Sequence, residues 1–323
     1  MSDNDEPTEQ PIDLRDVKPT CFRQMIGNRH VTEALRIAVE SSFAMKTRLD
    51  DVLLCGPSGT GKSSYASLLS QELGGVPLAE VFCTSISSVA DLNNVLLSAG
   101  DGVLMLDELA TLPHPQQHAL LEVLDKRRIS ISGGKSSIPL GSFVLVGCTT
   151  DPDMVIGPLV QRFRIQLQLD FYSVDELALI VKQRCLALGW DFEPELLMEI
   201  AKRGCQTPRI AIRWLQSARR WQTAEGADRL TVDHLRRACH VERISDRGLD
   251  NTQQKYLRLL ANGPLRLNVL ASVLGVSAKL LQKTVEPYLL RSSMIEKTEN
   301  GLRTLGDLGR THLEEISNGP EMG

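Results

Sequence analysis

The octapeptide Gly56-Pro57-Ser58-Gly59-Thr60-Gly61-Lys62-Ser63 has the residue types and spacing of a phosphate cradle, G-x-x-x-x-G-K-[ST]. Gly56, Gly59 and Gly61 free the backbone to wrap a polyphosphate. The backbone N–H groups and the start of the next helix supply partial positive charge there, and Lys62 supplies a full one. Ser63 offers its hydroxyl to Mg²⁺. The whole stretch, with Pro57, Thr60 and Ser64, is therefore expected to hold a nucleoside triphosphate. Its flanks fit: Val52-Leu53-Leu54-Cys55 reads as a buried strand and Tyr65-Ala66-Ser67-Leu68-Leu69 as an apolar helix face.

Binding becomes hydrolysis only with further groups. Asp107-Glu108 closes the apolar run Val103-Leu104-Met105-Leu106. Asp107 is placed to hold the Mg²⁺ shell and Glu108 to orient or deprotonate the attacking water, a pairing that favours ATP over GTP hydrolysis. Thr150 ends the apolar run from Phe143, where a parallel sheet opens onto its ligand, and is a candidate for sensing the γ-phosphate. Arg162, on a short exposed turn between two strands, is suited to reach a neighbouring subunit's γ-phosphate. Arg209, after Thr207-Pro208, could contact phosphate from a second side, and Arg213, one turn on, competes for that role.

Around these residues, apolar runs alternate with helical patterns up to about residue 172, which predicts a parallel sheet covered on both faces. A hairpin is expected across Ile129-Ser130-Ile131-Ser132, Gly133-Gly134 and Ser136-Ser137-Ile138. From Val174 only helices are expected, over residues 174–188, 194–203, 208–223 and 232–240. Three more helices (253–261, 267–274 and 278–290) precede a hairpin that turns at Asn300-Gly301, a winged-helix pattern. The fold class is therefore α/β with two appendages. The expected segments are an acidic tail 1–13, a P-loop domain 14–172, a helical lid 173–246, a winged helix 247–317 and a tail 318–323.

A formal net charge of −4 over 323 residues gives no global nucleic-acid footprint, so DNA binding would need a local surface. No apolar run approaches a membrane span. The polar, acidic start Met1-Ser2-Asp3-Asn4-Asp5-Glu6 is unlike a targeting signal, and the cytoplasm is the expected location. The seven cysteines lack C-x-x-C spacing and several lie in apolar runs, which points to small core residues.

These residues together resemble an AAA+ ATPase, and more narrowly the RuvB family of Holliday-junction branch-migration motors. The resemblance runs from about residue 17 to 311. It is carried by Lys18-Pro19, Ile26-Gly27-Asn28, the P-loop, Leu106-Asp107-Glu108, Gly147-Cys148-Thr149-Thr150 and Arg162-Phe163. Phe171-Tyr172-Ser173-Val174-Asp175-Glu176-Leu177, Thr207-Pro208-Arg209-Ile210-Ala211, Gly248-Leu249-Asp250 and Glu286-Pro287-Tyr288-Leu289 extend it. It implies ATP and Mg²⁺ held by Lys62, Ser63 and Asp107, with Glu108 as catalytic carboxylate. Thr150 would be sensor 1, Arg209 sensor 2 and Arg162 a finger acting in trans. Met25, Ile26, Tyr172 and Pro208 would line an adenine pocket. A ring of six subunits around a DNA duplex or four-way junction is implied, together with a RuvA-like junction-binding partner docked on the hairpin after Arg128. Lys297 and Arg303 are the wing's candidate DNA contacts.

The chain departs from the family pattern in three places. Glu296 and Glu299 add acids to the wing, the 128–141 hairpin is short, and Val160 stands where a second arginine is usual. An ATPase that remodels or loads a protein partner, with the winged helix as adaptor, is the alternative. A non-catalytic nucleotide switch is disfavoured because it needs neither Glu108 nor Arg162.

Overall fold

The computed structural model describes residues 17–131 and 136–318. The expected tail 1–13, the Gly133-Gly134 tip and residues 319–323 lie outside the described residues. By packing, the chain forms two compact units: one runs to Trp190 and includes Gln206–Ile210, and the other comprises Asp191–Cys205 and everything from Ala211.

The first unit is built on a five-stranded sheet. Its elements follow in the order α1 (Arg29–Met45), β1 (Val52–Cys55), α2 (Lys62–Glu72), β2 (Leu78–Phe82), α3 (Val89–Ser98), β3 (Val103–Asp107) and α4 (His114–Lys126). A two-stranded antiparallel hairpin, β4 (Arg128–Ile131) and β5 (Ser136–Pro139), precedes β6 (Val144–Thr149), α5 (Gly157–Arg162), β7 (Ile165–Gln168) and α6 (Val174–Ala187). The sheet order is β2-β3-β6-β1-β7 and every pairing is parallel.

Successive strand residues point to opposite faces. Leu53, Leu104, Leu106 and Leu145 pack into one core, and Val52, Leu54, Val103, Met105, Val144 and Val146 into another. Burial on both sides is why these strands read as unbroken apolar runs rather than alternating ones. The all-parallel order also brings the C-terminal ends of β1, β3 and β6 side by side. Those ends carry the P-loop, Asp107 and Thr149.

In the second unit α7 (Pro194–Lys202), α8 (Pro208–Glu225), whose first three residues belong to the first unit, and α9 (Val232–Val241) bury Leu196, Ile200, Trp214, Leu215 and Leu235. The helices-only expectation needs correction: Asp191–Phe192 (β8) and Arg229–Leu230 (β9) pair as a small parallel sheet. Two residues per strand are too few to leave a periodicity. α9 starts on a capping box, Thr231 with His234, and α10 (Asn251–Ala261) on another, Asp250 with Gln253.

The winged helix comprises α10, β10 (Leu265–Arg266), α11 (Leu267–Leu274), α12 (Ala278–Leu280), α13 (Glu286–Arg291), β11 (Ile295–Lys297), β12 (Leu302–Leu305) and α14 (Asp307–Asn318). Its sheet order is β10-β12-β11. The single helix expected over 278–290 is interrupted by a π segment, Leu281–Val285. Pro287 explains it: proline has no N–H to give and its ring crowds the preceding turn, so the ladder widens there. Six of the seven cysteines are buried, and Cys21 is half-buried.

Candidate functional site

The P-loop is a backbone shape that only these residue types tolerate. Gly56, Gly59 and Gly61 all have positive φ. A Cβ on Gly56 would lie 2.7 Å from the Leu169 carbonyl oxygen, and one on Gly59 would lie 2.9 Å from Arg209 Cβ. Thr60 is fully buried and its hydroxyl donates to the Pro57 carbonyl at 2.8 Å, closing the loop on itself. Gly61 then caps α2, whose first turn carries Lys62, Ser63 and Ser64.

Lys62 is buried, and its ammonium donates to the carbonyls of Gly56 at 2.6 Å and Pro57 at 3.0 Å. Burial draws its pKa below the ordinary lysine value, and Glu108 and Asp107 push the other way. The charge therefore sits inside the loop, held by backbone oxygens and faced by two carboxylates.

Asp107 ends β3, and its Oδ1 accepts the N–H of Glu108 at 3.0 Å. Glu108 itself is left-handed, at φ 56° and ψ 48°. Holding a non-glycine residue there costs about 1–2 kcal/mol, a cost recurrent at functional sites. Thr150 follows β6, and its Oγ1 lies 3.5 Å from Glu108 Oε2 and 2.9 Å from Asp151 Oδ2. One hydroxyl proton serves one acceptor at a time, so Asp151 competes with Glu108 for Thr150. Sequence reading passed over Asp151; its place directly after the strand-end threonines was the signal.

Tyr172 is buried, and its hydroxyl donates to the Thr60 carbonyl at 3.0 Å. Its ring lies against Gly27, where a Cβ would sit 2.6 Å from Tyr172 Cε1. Met25 and Ile26 enter this corner half-buried from the N-terminal side, and Pro208, also half-buried, opens α8. Arg209 Nη1 donates to Ser58 Oγ in the P-loop at 2.8 Å. The rival Arg213 is engaged elsewhere: it pairs with Glu242 at 2.7 Å and lies over the Trp214 ring.

Arg162 lies at the other end of the sheet. Together with Arg164 it precedes β7, and Asp50 and Asp51 precede β1. These residues with Arg48 and Arg127 line a polar cleft of about 380 Å³ at the N-terminal ends of the strands. The P-loop leaves β1 at its C-terminal end. Arg162 is about half exposed, and its Nε pairs with Asp125 Oδ1 at 2.8 Å.

The two wing residues part company. Lys297 is exposed on β11. Arg303, expected to touch DNA, is buried on β12: its Nε and Nη2 donate to the two oxygens of Glu286 at 2.8 and 3.1 Å, and Nη1 to the Gly301 carbonyl at 2.8 Å. Tyr256 donates to the same carboxylate at 2.6 Å. Arg303 therefore locks the wing to α13 and is not a surface cation. Period-two alternation was the signal, since Arg303 shares the inward face of β12 with Leu305.

Three protein-family models match the chain in succession. "Holliday junction DNA helicase RuvB P-loop domain" covers residues 17–169, "RuvB AAA lid domain" 172–245 and "RuvB C-terminal winged helix domain" 246–314. The chain belongs to the RuvB family. The "Holliday junction branch migration complex subunit RuvB" of Thermotoga maritima is 34% identical over 312 residues, 92% of each chain. The protein of the same name from Kosmotoga olearia is 32% identical, covering 89% of this chain and 87% of its own. Among solved structures, a proline-to-glycine mutant of Thermotoga maritima RuvB superposes with a TM-score of 0.81 at 33% identity, over 92% of this chain and 99% of that one. The Thermotoga maritima RuvB branch migration motor gives 0.79 at 32% identity, over 92% and 98%. The AAA+ P-loop domain, helical lid and winged helix are thus those of a RuvB-family nucleotide-using motor. Among the described residues no helix is long and apolar enough to cross a membrane.

Proposed function

We propose that the chain is the ATP-hydrolysing subunit of a ring that drives branch migration of four-way DNA junctions in recombination and repair, acting in the cytoplasm. The observation that carries the reading is the placement of the P-loop and Arg162 at opposite ends of one parallel sheet. One chain then presents a nucleotide cradle at one end and a phosphate-seeking arginine at the other, as a head-to-tail ring of six requires.

Within one site, Lys62 and the P-loop amides hold the β- and γ-phosphates, and Tyr172, Met25, Ile26 and Pro208 flank the base. Glu108 takes the proton of the attacking water, with Thr150 steering its carboxylate. Arg209 reports phosphate occupancy through Ser58. The Ser63 hydroxyl and Asp107 carboxylate are hard oxygen donors suited to Mg²⁺, which prefers one or two carboxylates plus phosphate oxygens. Bound there, Mg²⁺ would neutralise developing phosphate charge.

A RuvA-like protein docked on the β4–β5 hairpin and DNA at the wing complete the assembly. Turnover of ATP with four-way junction, linear duplex and no DNA, at low and moderate salt, tests the reading. DNA stimulation that fades with salt is expected. The second reading, action on a protein partner, draws on Arg303 being buried while Glu296 and Glu299 are exposed at the wing. Absence of DNA stimulation at every salt would favour it.

A further inference from the structure

We propose that Asp125 is the positioning residue of the arginine finger. The inference rests on the reading of Arg162 as acting on a neighbouring subunit's nucleotide. An arginine that stabilises transferring phosphate presents its terminal Nη groups. Asp125 Oδ1 forms an ion pair with Arg162, 2.8 Å from its Nε. An ion pair centred on Nε tethers the guanidinium to the last turn of α4 without drawing it into the core. About half of the Arg162 side chain stays exposed, so the grip does not bury the charge.

The support beneath Asp125 is rigid. It sits in the last turn of α4, and two residues on Arg127 caps that helix in a left-handed conformation. Arg127 Nη2 donates to Asp51 Oδ1 at 3.0 Å and to the Phe143 carbonyl at 3.2 Å, with its guanidinium over the Phe143 ring. Asp51 is buried and also accepts Arg48 at 2.7 Å and the Leu145 N–H at 2.9 Å. The turn that carries Asp125 is thereby pinned to the starts of β1 and β6. A finger held on a fixed turn needs no reordering when a nucleotide arrives, and displacement of a catalytic group by about 1 Å can cost on the order of a hundredfold in rate.

The test uses full-length subunits, alone and mixed. Asp125→Asn should lower kcat for ATP by roughly ten- to a hundredfold, while Kd for a fluorescent ATP analogue stays within about twofold. Asp125→Glu, which keeps the carboxylate, should recover part of the loss; equal loss in both variants overturns the proposal. Mixing Asp125→Asn with Glu108→Gln subunits should regain turnover, because one supplies a sound P-loop site and the other a sound finger. Mixing Asp125→Asn with Arg162→Ala should regain nothing, since both lesions lie on the finger side. Normal kcat in Asp125→Asn, or its failure to complement Glu108→Gln while Arg162→Ala succeeds, overturns the positioning role. Failure of Arg162→Ala itself to complement Glu108→Gln overturns the finger reading instead.

Discussion

The Tyr172 hydroxyl donates to the Thr60 carbonyl at 3.0 Å, and the Tyr172 N–H donates to the Gln206 carbonyl at 3.0 Å. One residue thus ties the P-loop backbone to the segment that leads into Arg209. Tyr172→Phe would leave the Thr60 carbonyl buried without its donor, at a cost of about 1–2 kcal/mol. A several-fold weaker ATP affinity is expected, read by titration with a fluorescent analogue; an unchanged Kd would separate Tyr172 from the nucleotide.

Lys62→Ala removes the one full positive charge inside the loop. It also strips the Gly56 and Pro57 carbonyls of their shared donor. Nucleotide binding should fall below detection in equilibrium dialysis, with ATP turnover lost. A variant that hydrolyses ATP at the normal rate would falsify the assignment of the site.

Glu108→Gln should separate binding from chemistry. The amide keeps the size and the left-handed backbone but cannot take a proton, so kcat should fall by about a hundredfold or more. ATP should still bind, and filter retention of radiolabelled ATP should detect it unhydrolysed. Turnover within a few-fold of normal would move the general base elsewhere.

At the wing, Arg303→Ala strands a buried Glu286 carboxylate, a loss on the order of 3–5 kcal/mol when one partner of a buried pair is removed. The melting temperature should drop sharply. Lys297→Ala, at an exposed position, should leave melting unchanged and reduce the slope of log affinity for duplex against log salt by about one. The opposite pattern would return Arg303 to the DNA surface.

His312 gives the winged helix a pH dependence. It is buried, its Nε2 has no hydrogen-bond partner among the described residues, and Glu315 lies 3.9 Å from its Nδ1. Burial first, then Arg247 and Arg258, hold its pKa below 6.5 against the pull of Glu315 and Asp246. A depressed folded-state pKa contributes stability that is complete above pH 6.5 and lost as pH falls through the folded value. His312→Leu should therefore flatten the loss of melting temperature on acidification below 6.5; a parallel loss in both proteins would clear His312.

The central strands β1, β3 and β6 and the P-loop were legible because burial on both sheet faces writes continuous apolar runs, and because a phosphate cradle needs glycine at fixed steps. Strand order was not, since register between distant segments leaves no local mark. Arg303 read as a surface cation because its partner, Glu286, lies on another element; the lone acid in the apolar stretch of α13 was the missed half of the pair. Asp125 and Asp151 went unread for a related reason. Each acts through a neighbour brought near only by folding, and a single aspartate at a helix end or after a strand is commonplace. The π segment was foreshadowed by Pro287, yet proline within a helix can kink, end or widen it, and packing decides which.

Six buried cysteines and one half-buried one make the chain selective toward thiol reagents. Burial pushes the Cys83, Cys185 and Cys205 thiols up to about 12 and Cys148 further still, so these side chains carry almost no thiolate near neutrality. Cys21 alone is incompletely buried, and it precedes the short turn Phe22–Gln24 that leads to Met25 and Ile26. Maleimide chemistry on the natural sequence should therefore place a single dye beside the base-facing wall, turning the unmodified chain into its own optical reporter of nucleotide exchange.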